Sequence, residues 1–115
     1  MIIHQANAAA GGVFEACQER GVLAFGTNSD QSGDAPMTVL CSAVIIAGPA
    51  FTDLAKQVAA GTFEGGVILK GMKEGAVGIV WNEKLMASLD DIREMVAAET
   101  KKIVDGELVV PKLDF

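Results

Sequence analysis

Apolar residues fall along this chain in short runs separated by polar and glycine-rich breaks. Ile2-Ile3 opens a short strand that ends in His4 and Gln5. Asn7-Ala-Ala-Ala-Gly-Gly12 is a small-residue loop leading into a helix predicted over residues 12–20. Val13, Phe14 and Cys17 share one face of it, and Glu15 and Glu19 lie on the other side. Gly21 stands where helices commonly terminate. The run Val22-Leu-Ala-Phe25 is bounded by turn residues and predicts a buried strand. It breaks at Gly26 into a polar cluster, Thr27-Asn28-Ser29-Asp30-Gln31.

Ser32 to Pro36 is a loop by composition. Met37 to Ile46 is rich in β-branched residues and predicts a third strand. Gly48-Pro49 ends it and places proline in a helix's first turn, where a missing N–H costs nothing. Phe51, Leu54, Ala55 and Val58 follow at helical spacing and make the clearest amphipathic helix of the chain, closed by Gly61. Val67-Ile-Leu69 and Ala76 to Trp81 predict two further strands with a turn at residues 70–75. Whether these two pair as a hairpin is open at this level. Ser88 opens a last helix through a capping-box variant in which Asp91 replaces the commoner Glu. Leu89, Ile92, Met95, Val96 and Ile103 form its apolar stripe, and Gly106 stops it. Leu108 to Pro111 is a short extended tail.

Strands alternating with helices argue for an α/β fold: a three-layer, parallel-type sheet with flanking helices and right-handed crossovers. The 115 residues argue for one domain, 1–115. Half of them are apolar, far from a disordered composition. So short an α/β chain has little to cover both faces of a parallel sheet, and exposed apolar surface follows as an expectation. The formal net charge of −6 disfavours nucleic acid, whose phosphates select basic surfaces. No polybasic run suggests a membrane surface. The N-terminal residues lack the basic and apolar regions of a signal peptide, and no apolar stretch approaches the length needed to span a bilayer. Cys17 and Cys41 show no metal-ligand spacing and read as small buried apolar residues, a disulfide being the alternative.

Catalytic chemistry is sparse. The chain contains no GxSxG, HExxH or CxxC, and no metal set. His4, the one histidine, stands at a strand end, where it reads as a hydrogen-bonded structural residue or a binding residue. Trp81 reads as a core or interface residue ahead of one that stacks on a ligand. The polar cluster that follows Phe25 is the strongest candidate site, because open α/β sheets bind ligands at the carboxyl ends of their strands. A carboxylate, an amide and hydroxyls gathered there suit a polar small molecule. The same residues also form ordinary turns.

The run from His4 to Gln31, HQANAAAGGVFEACQERGVLAFGTNSDQ, is similar to a segment of the basic membrane protein family. These are substrate-binding lipoproteins of ABC importers and include purine-nucleoside receptors. The likeness continues through Ala35-Pro36, Val39-Leu-Cys-Ser42, Gly61-Thr-Phe63, Lys73-Glu-Gly75-Ala-Val-Gly78 and Ile103 to Pro111, in order. It implies a type I periplasmic-binding-protein fold, with this chain resembling the C-terminal part and its first lobe, signal sequence and lipobox cysteine absent. Asp30 falls on the family's aspartate in the D-Q motif, which binds polar groups of the ligand. Asn7 to Gly11 fall on a loop that usually reads Gly-Gly-Thr-Gly, here Asn-Ala-Ala-Ala-Gly. Nucleoside receptors often carry a lysine near position 45, where this chain has Ile45, which favours a free purine base or another small ligand. His4, Gln5 and Asn28 flank the same place.

The function expected is therefore a non-enzymatic binding module for a purine base or nucleoside-like molecule. Asp30, Asn7, Asn28, His4 and Gln5 are its candidate ligand-binding residues. The resemblance implies an ABC permease as partner of the full-length receptor and an extracytoplasmic location for it. The alternative is an α/β interaction domain that self-associates, as a homo-oligomer or domain-swapped dimer, and has lost ligand binding. A small hydrolase using His4 and Asp30 ranks last.

Overall fold

A computed structural model describes residues 1–86 and 89–111. The elements run β1 (Ile2–Ile3), a 3-10 turn (Asn7–Ala9), α1 (Ala10–Arg20), β2 (Ala24–Asn28), β3 (Val39–Ile45), α2 (Gly48–Ala60), β4 (Val77–Trp81), α3 (Glu83–Met86) and α4 (Asp90–Asp105). The four strands form one sheet in the order β1-β2-β3-β4, and the β1–β2 and β2–β3 pairings are parallel. The fold class is thus α/β, as the alternation of strands and helices predicts.

The described chain divides into two compact units. The first comprises Met1–Ile45 and Gly78–Asp90, the second Ile46–Val77 and Asp91–Phe115. The chain leaves the first unit after Ile45, returns at Gly78 and leaves again after Asp90.

The first unit holds the core. Ala10, Phe14 and Cys17 of α1 pack with Ala24 of β2, Val39 of β3 and Ala35 of the loop before β3, joined by Val13 and Val22. Phe14 and Cys17 stand three positions apart, so one helix face carries both onto the sheet. Burying Phe14 alone stabilises the unit by about 2–3 kcal/mol. Gly21 reverses the chain after α1 at φ 60°, in the left-handed region, and the Val22 N–H donates to the Cys17 carbonyl at 3.0 Å. That close return sets Ala24 beside the helix that precedes it.

β3 is buried along its first four residues, Val39 to Ser42. An inner strand of a parallel sheet is covered on both faces, so it reads as an unbroken buried run. The β2–β3 register pairs Ala24 with Val39 but Phe25 with Cys41, which leaves Leu40 as the extra residue of a bulge. The freed Leu40 carbonyl accepts the Asn82 N–H at 3.0 Å. Asn82 is itself buried. Its Nδ2 donates to the Pro36 carbonyl at 2.8 Å and the Val39 carbonyl at 2.7 Å, and its Oδ1 accepts the Lys84 N–H at 3.1 Å. One side chain therefore ties the entry to β3 and caps the short α3.

In the second unit α2 begins at Gly48-Pro49 and ends at Gly61, as its turn residues predict. None of the unit's described residues is buried. Phe51 and Val58, on the apolar stripe of α2, are 69% and 59% exposed. The turn before β4 is held by Glu74, whose Oε2 accepts the Gly71 N–H at 2.7 Å. That bond holds the exposed Glu74 carboxyl below the usual carboxylate range.

Some boundaries differ from the pattern-based expectation, one expected strand does not form, and the short α3 is an element the pattern does not predict. Val67-Ile-Leu69 forms no strand, and all three residues are exposed. An apolar triplet flanked by glycines has β-propensity, but without a neighbouring strand to pair with it stays irregular. β2 spans Ala24–Asn28 instead of residues 22–25, so Thr27 and Asn28, two of the five residues of the polar cluster, belong to the strand. α1 begins at Ala10, two residues early, because the 3-10 turn feeds directly into it. Ser88, expected to cap the last helix, lies outside the described residues. Cys17 and Cys41 are both free and buried. Burial pushes the Cys41 thiol up from its ordinary value.

Candidate functional site

β1 is two residues long and pairs Ile2 with Ala24 and Ile3 with Phe25. β2 continues to Asn28, so the segment after β1 leaves the sheet beside the carboxyl end of β2. This brings residues 4–7 to the polar cluster. Asn28 Nδ2 donates to Asn7 Oδ1 at 3.2 Å, and Gln5 Nε2 reaches Asn28 Oδ1 at 3.5 Å, the long end of the range. Three of the five candidate residues thus form one amide network. Each amide has two donor hydrogens and two lone pairs on oxygen, so Asn28 keeps one of each beyond this network.

Asn7 and Asn28 stand at φ 49° and 70°. Asparagine tolerates the left-handed region better than most residues. At Asn28 the geometry is a three-residue turn in which the Ser29 N–H donates to the Thr27 carbonyl at 2.9 Å. Such a turn with positive φ is strained.

Asp30 follows on the exposed side. Its Oδ1 accepts the Ser32 N–H at 3.0 Å, a local turn bond that leaves Oδ2 unengaged by it. Asp30 is therefore an exposed acceptor two positions along the chain from Asn28.

His4 is held from within. Its Nδ1 accepts the Ala6 N–H at 3.2 Å, and its ring meets Phe14 edge-on, with centroids 5.1 Å apart. With Nδ1 taken up as the acceptor, Nε2 is the ring's remaining polar atom. Nε2 is buried and has no hydrogen-bond partner among the described residues. His4 shapes the turn that presents Asn7, and its own polar edge is turned away from solvent.

Behind the polar cluster lies a set of contacts that residue pattern alone does not disclose. Ser42 of β3 is fully buried, and its Oγ accepts the Gln31 N–H at 3.0 Å. Gln31 Oε1 accepts the Thr27 N–H at 2.8 Å. Gly26 makes room for this: a Cβ there would stand 2.3 Å from Ser42 Oγ and 3.0 Å from Gln31 Cβ. A serine inside an otherwise apolar strand was the available signal, since a buried hydroxyl requires a partner.

An apolar groove of about 540 Å³ runs along α1, lined by Ile2, Val13, Cys17, Val22 and small side chains, with Arg20 at its border. None of the five candidate residues lines it. Among the described residues no group of three or more His, Cys, Asp or Glu could hold a metal ion. Among them, too, no helix is long and apolar enough to cross a membrane.

Comparison with known proteins bears on what this arrangement does. The family model Bmp, described as ABC transporter substrate-binding protein PnrA-like, matches residues 1–114. A purine-binding protein of Brucella abortus is 35% identical over 94 residues, covering 82% of this chain and 26% of that protein. Basic membrane protein A of Borreliella afzelii is 33% identical over 115 residues, covering 96% of this chain and 35% of that protein. The chain therefore spans about a quarter to a third of the curated relatives it matches. Among solved structures, a transcriptional activator of the comK gene from Bacillus halodurans superposes with a TM-score of 0.79 at 20% identity. The superposition covers 95% of this chain and 38% of that one. An ABC transporter solute-binding protein from Aeropyrum pernix K1 gives 0.67 at 24% identity, over 96% and 40%. At these identities the two structures speak to the fold alone.

Proposed function

The chain belongs to the Bmp family of PnrA-like ABC transporter substrate-binding proteins, and from that membership we propose that its first unit carries part of a binding surface for a neutral purine-type ligand, with no catalytic role. The observation that carries this reading is the amide network of Gln5, Asn7 and Asn28 at the carboxyl end of β2, with Asp30 two positions further along the chain. Amides offer both donors and acceptors, which matches the mixed edge of a purine. The Asp30 carboxylate accepts from a ligand N–H or hydroxyl. His4 serves this surface indirectly, through the turn it holds.

The neutral character of the ligand follows from the same residues. Position 45, where the resemblance leads one to look for a lysine, is an exposed isoleucine. A phosphate or carboxylate would face Asp30 without that cation, and like charges in proximity repel. A free base is favoured over a nucleoside because nucleoside receptors of the family often carry a lysine at this place, and the Ile45 side chain has no polar atom to stand in for it. In the full-length receptor, the ligand would be passed to an ABC permease outside the cytoplasm.

Titration calorimetry with adenine, guanine, hypoxanthine, xanthine, inosine and guanosine tests the reading. Heat is expected for at least one base, weakened at least tenfold in Asp30→Ala. No heat with any of the six at high protein concentration would overturn it.

A further inference from the structure

We infer that Gln31 is a positioning residue for the candidate site, acting with Ser42 in the space left by Gly26; the inference rests on the receptor reading only for its functional consequence. β1 stops at Ile3, opposite Phe25. The Thr27 N–H lies beyond the end of β1 and has no strand to meet there. Gln31 supplies the acceptor, its Oε1 2.8 Å from that nitrogen. Its backbone N–H donates to Ser42 Oγ at 3.0 Å, and its carbonyl accepts the Asp34 N–H at 3.0 Å. One residue therefore closes the five-residue turn from Thr27 to Gln31, fixes it to β3 and starts the next turn.

Asn28, Ser29 and Asp30 lie inside that closed turn. Asn28 sits at φ 70°, a conformation that persists only where the surroundings over-determine it. The bonds of Gln31 on either side provide that constraint. Ser42 cannot swing aside, since it is fully buried, and Gly26 cannot gain a side chain without displacing it. The exposed acceptor of Asp30 and the exposed amides are thus carried on a turn pinned to the middle of the sheet.

The test pairs a ligand-free readout with a binding readout on the full chain. Gln31→Met keeps the length of the side chain and removes the acceptor; Gln31→Glu keeps an acceptor at the same place. Amide hydrogen exchange by NMR is expected to show Thr27 losing roughly tenfold or more of its protection in Gln31→Met, with protection restored in Gln31→Glu. Calorimetry with adenine and hypoxanthine as probes is expected to show affinity falling roughly tenfold in Gln31→Met. Thr27 protection unchanged in Gln31→Met overturns the inference, and so does lost protection with unchanged affinity. If neither probe binds the wild-type chain, the other four compounds of the calorimetric panel take their place; if none of the six binds, the receptor reading fails, and the exchange result alone judges the lock. Should Gln31→Met fail to fold, Ser42→Ala probes the other bond: the Gln31 amide is expected to lose protection there, and its retention overturns the inference.

Discussion

Asn28 donates a side-chain hydrogen bond to Asn7 at 3.2 Å, and both residues stand at positive φ. Asn28 is the last residue of β2 and Asn7 the first of the 3-10 turn that follows β1, 21 positions apart in sequence. Among the described residues they are the two non-glycine positions at positive φ. Strain and mutual support are therefore located in the same contact, and that contact joins the end of β2 to the turn after β1 at the candidate site.

This relationship separates into two measurable parts. Asn28→Gly removes the side-chain bond but accepts the backbone conformation, and is expected to cost about 0.5–1.5 kcal/mol. Asn28→Ala removes the bond but keeps a Cβ in the left-handed region, and is expected to be about 1–2 kcal/mol less stable than the glycine variant. Urea denaturation of both variants checks the order. Equal stabilities for the alanine and glycine variants would show that the conformation carries no strain.

Gly26 and Ser42 should be coupled. Gly26→Ala drives a methyl group into Ser42 Oγ, and overpacking of this kind costs about 1–3 kcal/mol. Ser42→Gly vacates the space but strips Gln31 of its backbone partner. The double variant is expected to be more stable than the sum of the two single losses implies, by about 1 kcal/mol. A double-mutant cycle that closes additively would contradict the close approach.

Asn82→Ala is expected to be the most damaging polar substitution in the first unit. It strips the Pro36 and Val39 carbonyls of a buried donor and the Lys84 N–H of its acceptor. A loss of about 2–4 kcal/mol follows from leaving buried partners unmet. Thermal denaturation gives the number, and a loss under about 1 kcal/mol, the net worth of a single ordinary hydrogen bond, would mean that water replaces the side chain.

Cys41 makes a prediction with a sign. Its thiol is pushed up by burial in the folded chain. Above the ordinary thiol value of about 8.5 the unfolded state releases this proton first and so binds fewer protons than the native state. The contribution to stability is complete at neutral pH and is lost as pH climbs through the unfolded value toward the folded one. Denaturation at pH 7.5 and pH 10 on wild type and Cys41→Ala checks it: the alanine variant is expected to lose less stability between the two. Labelling of Cys41 by iodoacetamide should be slow until denaturant unfolds the chain.

Much of the fold was legible because the hydrophobic period is unambiguous where it matters. Val13, Phe14 and Cys17 define a helix face, and Met37 to Ile46 is a β-branched run of strand length. The glycines at 21 and 61 end their helices as the pattern requires. Val67-Ile-Leu69 misleads because an apolar triplet states a preference without stating a partner, and pairing is decided by distant residues. The strand end after Phe25 lies further along than the pattern places it, for a related reason. Thr27 and Asn28 are turn formers locally, yet β3 pairs with them and prolongs the strand. At the site, the order of residues identifies Asn28 and Asp30 as polar groups at a strand terminus. The role of Ser42 emerges only when β3 is laid against the turn.

The chain passes from the first unit to the second after Ile45, back at Gly78, and out again after Asp90. Neither unit is a continuous length of polypeptide, so no single cut separates one from the other. Trimming the C-terminal stretch would take α4 from the second unit, and stopping synthesis before residue 78 would leave the sheet without its fourth strand. On the ribosome, both units must wait for late residues to emerge, so the early segments spend that interval incompletely covered and exposed to chaperones and aggregation.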